Sequence, residues 1–174
     1  MFRYTDKEIT GILKGAVVVV DTREQKCSHI TSYFEQYKIP YCYEKLDVGD
    51  YTLKVELDHL HKPYYLQDIC VVERKANLEE LSTNFTKGRE RIEAEFQRAK
   101  GAIYLLIEGA SYEDLLLGNY DTGYDKKRFM ATLKAFEARY KLRTTFMKDN
   151  TYSGDFIYKT LIYNLRELLK RGDI

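Results

Sequence analysis

The chain has no tryptophan, two prolines and three cysteines in 174 residues. With proline confined to Pro40 and Pro63, no proline-rich linker divides it, and the length suits one domain. Cys27, Cys42 and Cys70 are scattered and lack zinc-site spacing. They read as reduced thiols of an intracellular protein. The N-terminal stretch "MFRYTDKEITGILKG" has no apolar signal core, and the longest apolar run of this kind, "AVVVV", is far too short to span a bilayer. A strong charge of one sign is missing too. The 28 Lys and Arg nearly cancel the 27 Asp and Glu, leaving +1. An anionic partner would therefore have to be gripped by a local patch, because the molecule has no global field to offer.

What is present suits a folded protein. Hydrophobic residues make up 44% and charged residues 32%, which excludes global disorder. Sixteen tyrosines can fill a core or stack on bases, so their number alone decides nothing. Strands are predicted at "AVVVVD", "PYCYEKL", "GDYTLKVEL", "DICVVERK", "AIYLLIEG" and "RTTFM". Helices are predicted at "SHITSYFEQYK", "NLEELSTNF", "KGRERIEAEFQRAK", "DKKRFMATLKAFEARYK" and "DFIYKTLIYNLRELLKR". This alternation predicts an α/β fold: a three-layer sandwich with a central mixed sheet flanked by helices. One unit is expected over 1–174, with a core over about 16–150 and a C-terminal amphipathic helix over about 152–171.

The stretch "DICVVERKANLEEL" drives an apolar strand straight into Glu73, Arg74 and Lys75. Charge that leaves water unpaired is costly, so the strand either reaches the surface there or holds its charges for chemistry. Asp21 closes an earlier strand and Asp50 opens another. Carboxylates at neighbouring strand ends make an oxygen-lined pocket that suits Mg²⁺ or Mn²⁺, with the backbone carbonyl of Arg74 as a further ligand. Lys75, two residues beyond Glu73 on the same side of an extended chain, can orient the attacking water or help deprotonate it. Such a set is equipped to hydrolyse a phosphodiester.

The order "VDTRE", "LDVGDY", "VVERKANLEEL", "GRERIEAEF" and "YLLIEG" resembles the nuclease domain of the XPF/Mus-type structure-specific endonucleases, with their GD…ERKxxxD hallmark. Here it reads Gly49-Asp50, Glu73-Arg74-Lys75 and Glu79, and the resemblance covers roughly 16–143. It implies a restriction-endonuclease-like fold and a metal-dependent endonuclease acting on branched, flap or junction DNA in repair or recombination. Asp50, Glu73 and Lys75 would be catalytic. Asp50, Glu73, the Arg74 carbonyl and Asp21 would serve the metal, and Glu24, Arg23 and Glu79 would support the cluster. Ser82 and Arg89 match the serine and arginine that follow the motif in the family. Glu79 replaces the usual Asp, and Glu93 or Glu95 stands where a glutamine is common. The helix-hairpin-helix module of the repair enzymes is not seen in this sequence, so a stand-alone version of the sort found in phage genomes is expected. It would act in the cytoplasm or nucleoid, or in the host cytoplasm if phage-encoded.

DNA contacts are expected from Arg74, Lys87, Arg89 and Arg91. Ile157, Leu161, Leu165 and Leu168 form one stripe of the terminal helix, and Phe156, Ile162 and Leu169 widen it. That width predicts a homodimer through the C-terminal helices. The alternative function is a catalytically silent DNA-binding or partner subunit, and RNA cleavage is a third reading that the sequence leaves open.

Overall fold

The run Val17–Val20 is apolar at every position because both faces of its strand are covered; Val18, Val19 and Val20 are wholly buried. The computed structural model describes residues 3–174. Among these, the strands are β1 (Val17–Asp21), β2 (Tyr41–Glu44), β3 (Tyr51–Val55), β4 (Tyr64–Tyr65), β5 (Cys70–Lys75), β6 (Ala102–Glu108) and β7 (Leu142–Met147). They form one mixed sheet in the order β2-β1-β3-β5-β6-β7, with β4 attached to β3. β3 runs antiparallel to both β1 and β5, whereas β1–β2, β5–β6 and β6–β7 are parallel.

Helices α1 (Asp6–Lys14), α2 (Ser28–Gln36) and α7 (Ser153–Arg171) pack on one face, around Phe34, Leu53, Val72 and Leu165. Helices α3 (Leu78–Phe85), α4 (Arg89–Arg98), α5 (Tyr112–Leu117) and α6 (Lys126–Tyr140) pack on the other, around Phe85, Phe96, Phe129 and Phe136. The result is the three-layer sandwich expected from the sequence. Cys27, Cys42 and Cys70 are free thiols, and no helix among the described residues is long and apolar enough to cross a membrane.

Three elements lie outside the sequence-based expectations. α1 and α5 are short helices, each opened by a capping box, Thr5 with Glu8 and Ser111 with Asp114. That reciprocal bonding is a readable helix-start signal. β4 is a two-residue strand just after Pro63, too short to leave a periodic pattern.

The apolar width of α7 is used within one chain. Leu161, Leu165 and Leu169 are fully buried, Ile162 is 9% exposed, and the helix packs against α1, α2, β3 and β5. The sequence predicts another copy as the cover of the second apolar side. α6 lies on the opposite face of the sheet, and α1 and α2 supply the cover instead. The reason for expecting a dimer through α7 therefore falls away.

Gly49 makes the turn into β3 with φ +76°, and a Cβ built there would lie 2.8 Å from Cβ of Val71. The left-handed backbone alone costs a non-glycine residue about 1–2 kcal/mol. Gly49→Ala should lower the free energy of unfolding by at least that amount in urea titration, and an unchanged midpoint would contradict the close approach.

Candidate active site

Because β3 runs against β1 and β5, its first residues lie beside their last. Asp50 is fixed there by two backbone bonds, its N–H donating to the Val72 carbonyl at 2.9 Å and its carbonyl accepting from the Asp21 N–H at 2.8 Å. Alternation along β5 then sorts the charged triplet. Val71 belongs to the core under α3 and α4, and Val72 to the core under α2 and α7. Side chains two apart share a face, so Glu73 and Lys75 follow Val71 while Arg74 follows Val72.

On the α3–α4 side lies a cavity of about 490 Å³ lined by Asp50, Glu73, Lys75, Glu80, Glu95, Lys87 and Arg91 among others. Asp50 Oδ2 accepts the Arg74 N–H at 2.8 Å. Glu73 Oε1 accepts from Lys75 Nζ at 2.5 Å, while Glu73 Oε2 is buried without a hydrogen-bond partner. Burial, and then the charge of Glu73, pushes the Asp50 carboxyl well above its ordinary pKa. Burial also raises Glu73; Lys75 opposes that rise and Glu95 adds to it. For Lys75, burial works against the ammonium, but Glu73 and Asp50 outweigh it and raise its pKa. The Lys75 ammonium, hydrogen-bonded to Glu73, is suited to orienting a water or an anionic oxygen.

A half-buried and a buried carboxylate lining one cavity, Asp50 and Glu73, with one oxygen left unpartnered, fit a hard divalent cation. Oxygen donors of this kind suit Mg²⁺ and Mn²⁺. Among the described residues no three His, Cys, Asp or Glu side chains are grouped as a metal cage. Asp50 and Glu73 would thus need the Arg74 carbonyl and water to complete a shell, which is how Mg²⁺ is commonly held.

Arg74, which with Glu24 also borders this cavity, is locked. Its Nη1 donates to Glu24 and its Nη2 to Glu108, each at 2.7 Å, and its side chain is 6% exposed. Glu108, at the end of β6, also meets His29 Nε2 at 2.8 Å. The expected DNA contact from Arg74 is corrected by this burial: its guanidinium is committed to two carboxylates. Asp21 is likewise committed. Its oxygens accept from Nε and Nη2 of Arg23 at 2.7 and 3.0 Å and from the Leu46 N–H at 2.6 Å. It braces the end of β1, and none of its atoms lines the cavity.

Two further positions differ from expectation. Glu79 Oε1 accepts the Asp121 N–H at 2.8 Å, outside the cavity, whereas Glu80 lines it and lies 3.9 Å from Lys75. Arg89 pairs with Glu93 at 3.1 Å and lies over the Phe136 ring, also outside the cavity, while Lys87 and Arg91 are exposed at its rim. Glu95, Glu108 and His29 were given no role from the sequence. "YLLIEG" marked the position of Glu108 without revealing its partner.

The ERCC4 domain family model matches residues 20–160. XPF from Aeropyrum pernix superposes with a TM-score of 0.61 at 19% identity, over 90% of this chain and 69% of that one. The structure of XPF from Aeropyrum pernix in complex with DNA gives 0.62 at 19% identity, over 87% of this chain and 66% of that one, just short of two thirds of its length. Likeness at this identity establishes the fold. No curated protein matches the chain by sequence.

Proposed function

The chain belongs to the ERCC4 domain family, and from that premise we propose that it is a divalent-metal-dependent endonuclease that hydrolyses phosphodiester bonds in branched, flap or junction DNA, as in repair or recombination. The observation that carries this reading is Asp50 beside the buried Glu73 with its unpartnered Oε2, next to Lys75 in a cavity whose rim carries Lys87 and Arg91. A bound Mg²⁺ or Mn²⁺ supplies an acidified water and draws charge from the phosphate. The protein's own part is to hold that region in place. Asp50 and Glu73 present the ligand oxygens, and the Arg74 N–H fixes the rotamer of Asp50. The Lys75 ammonium, held by Glu73, offers positive charge to an oxygen that becomes more negative as the bond breaks. Lys87 and Arg91 take the flanking phosphates.

A silent binding subunit would need Lys87 and Arg91 but would gain nothing from a buried Glu73 beside a second carboxylate that repels it. Pairing of two copies through α7 is not carried into this reading, since Ile162 and Leu169 already pack inside one chain. The test is a cleavage panel with Mg²⁺ and with Mn²⁺: flap, junction and linear duplex DNA, and single-stranded RNA. Cutting of the branched DNAs before the linear duplex supports the proposal. Uncut branched DNA, or RNA as the preferred substrate, overturns it.

The basic residues separate by position. Arg91→Glu should weaken binding to DNAs of any sequence and lower the log–log salt slope by about one. Arg89→Glu, already paired with Glu93, should do much less. Fluorescence anisotropy across a salt series reads both, and equal losses would contradict the assignment of Arg91 to the DNA path.

A further inference from the structure

α4 turns Ile92 and Phe96 into the core, at 4% and 2% exposure, and sets Glu95 against the cavity. Glu95 Oε1 accepts the Gly49 N–H over a long 3.4 Å, and among the described residues it forms no ion pair. Glu95 lines the same cavity as Asp50 and Glu73 and, unlike Glu80 and Glu24 there, has no lysine or arginine within ion-pair distance among the described residues. Its charge reaches Glu73, where it adds to the burial that disfavours ionisation, and it also reaches Arg23. Like charges gathered in one cavity oppose the folded state unless a cation joins them. A second feature points to such a cation: Glu73 lines the same cavity, its side chain is 5% exposed, and its Oε2 has no partner.

We propose that Glu95 is a positioning residue for the divalent cation at Asp50 and Glu73, acting from α4 through the cation's water shell. This rests on the endonuclease reading. Contact through water fits the absence, among the described residues, of a three-residue cage of direct ligands. Outer groups of this kind orient and tighten the inner ones, and their loss costs metal affinity. Glu95 would thereby tie α4, which carries Arg91, to the metal pocket on β5.

Glu95→Gln separates charge from shape, because glutamine keeps an acceptor for the Gly49 N–H. The metal-free variant should melt about 2–4 °C higher than the wild type, since repulsion is relieved. Its Mn²⁺ dissociation constant, measured by calorimetry with the metal alone, should rise about tenfold. Glu95→Asp, which keeps the charge, should recover part of the affinity. A wild-type Mn²⁺ affinity in Glu95→Gln overturns the inference, as does a lower metal-free melting point, which would mean that neighbouring cations such as Arg23 already satisfy the Glu95 charge. If Glu73→Gln loses Mn²⁺ binding while Glu95→Gln retains it, this inference falls alone. If the wild type binds no Mn²⁺, the metal-dependent reading falls with it.

Discussion

Glu73→Gln and Asp50→Asn should each reduce metal-dependent cleavage by about 10³-fold or more, and Asp50→Asn, which breaks no ion pair, should make the metal-free protein more stable. Each change removes one charge from the cavity and leaves the shape nearly unchanged. The stability gain follows from proton linkage. The unfolded carboxyls ionise near their ordinary values of 3.8 and 4.5, whereas burial, and for Asp50 then the charge of Glu73, raises both folded values. In that window the folded state binds more protons than the unfolded state, so stability is full below the ordinary values and is lost as pH rises through the raised ones. The metal-free wild type should therefore melt lower at pH 8 than at pH 5 as far as these groups are concerned. Either variant should flatten that fall, and Mg²⁺ should reverse it in the wild type alone. A melting series from pH 5 to 8, with and without Mg²⁺, reads all three effects. Asp50→Asn melting lower than wild type at pH 8 without metal would mean that the Asp50 carboxylate supports the fold by itself.

Arg74→Ala should be the most damaging substitution to the fold, at about 3–5 kcal/mol in urea titration. Its guanidinium satisfies Glu24 and Glu108 together, and their side chains are 13% and 1% exposed, so truncation strands two carboxylates with little access to water. Arg74→Lys keeps the charge but loses the planar fork that reaches both partners, and should fall between. Cleavage should drop in both variants, because the strand end whose backbone N–H holds Asp50 loses its anchor to Glu24 and Glu108. A loss under 1 kcal/mol for Arg74→Ala would mean that Glu24 and Glu108 are served by other donors.

Much of this site could be read in the sequence because it depends on local rules. An apolar strand that ends in alternating charges places Glu73 and Lys75 on one face whatever lies around them, and Gly49-Asp50 marks the turn that brings Asp50 beside them. Parity also put Arg74 on the other face. Its partner Glu108 is 34 residues away, and His29 lies a further layer out, 79 residues from Glu108; no local pattern encodes such meetings. The choice between Glu79 and Glu80 depended on where α3 begins. The Asn77 side chain caps the helix at the Glu80 N–H, and Glu80 returns its carboxylate to the Ala76 N–H, which aims it at the cavity and leaves Glu79 to hold the Asp121 backbone. Arg89 and Arg91 are two apart on a helix, so they face different ways, and the sequence could not say which way the cavity lay. The width of the terminal helix says that more than one partner covers it but not which, and the sign of α1, which covers part of it, is confined to a Thr5–Glu8 capping box.

The most direct measurement is product formation by the purified wild type on a labelled flap duplex, in Mg²⁺ and in EDTA, with Glu73→Gln run in parallel. Product from the wild type in Mg²⁺, and none from the other combinations, is the predicted result. Product in EDTA, or as much product from Glu73→Gln as from the wild type, would contradict the assignment of the Asp50–Glu73 cavity as the metal-dependent cutting centre.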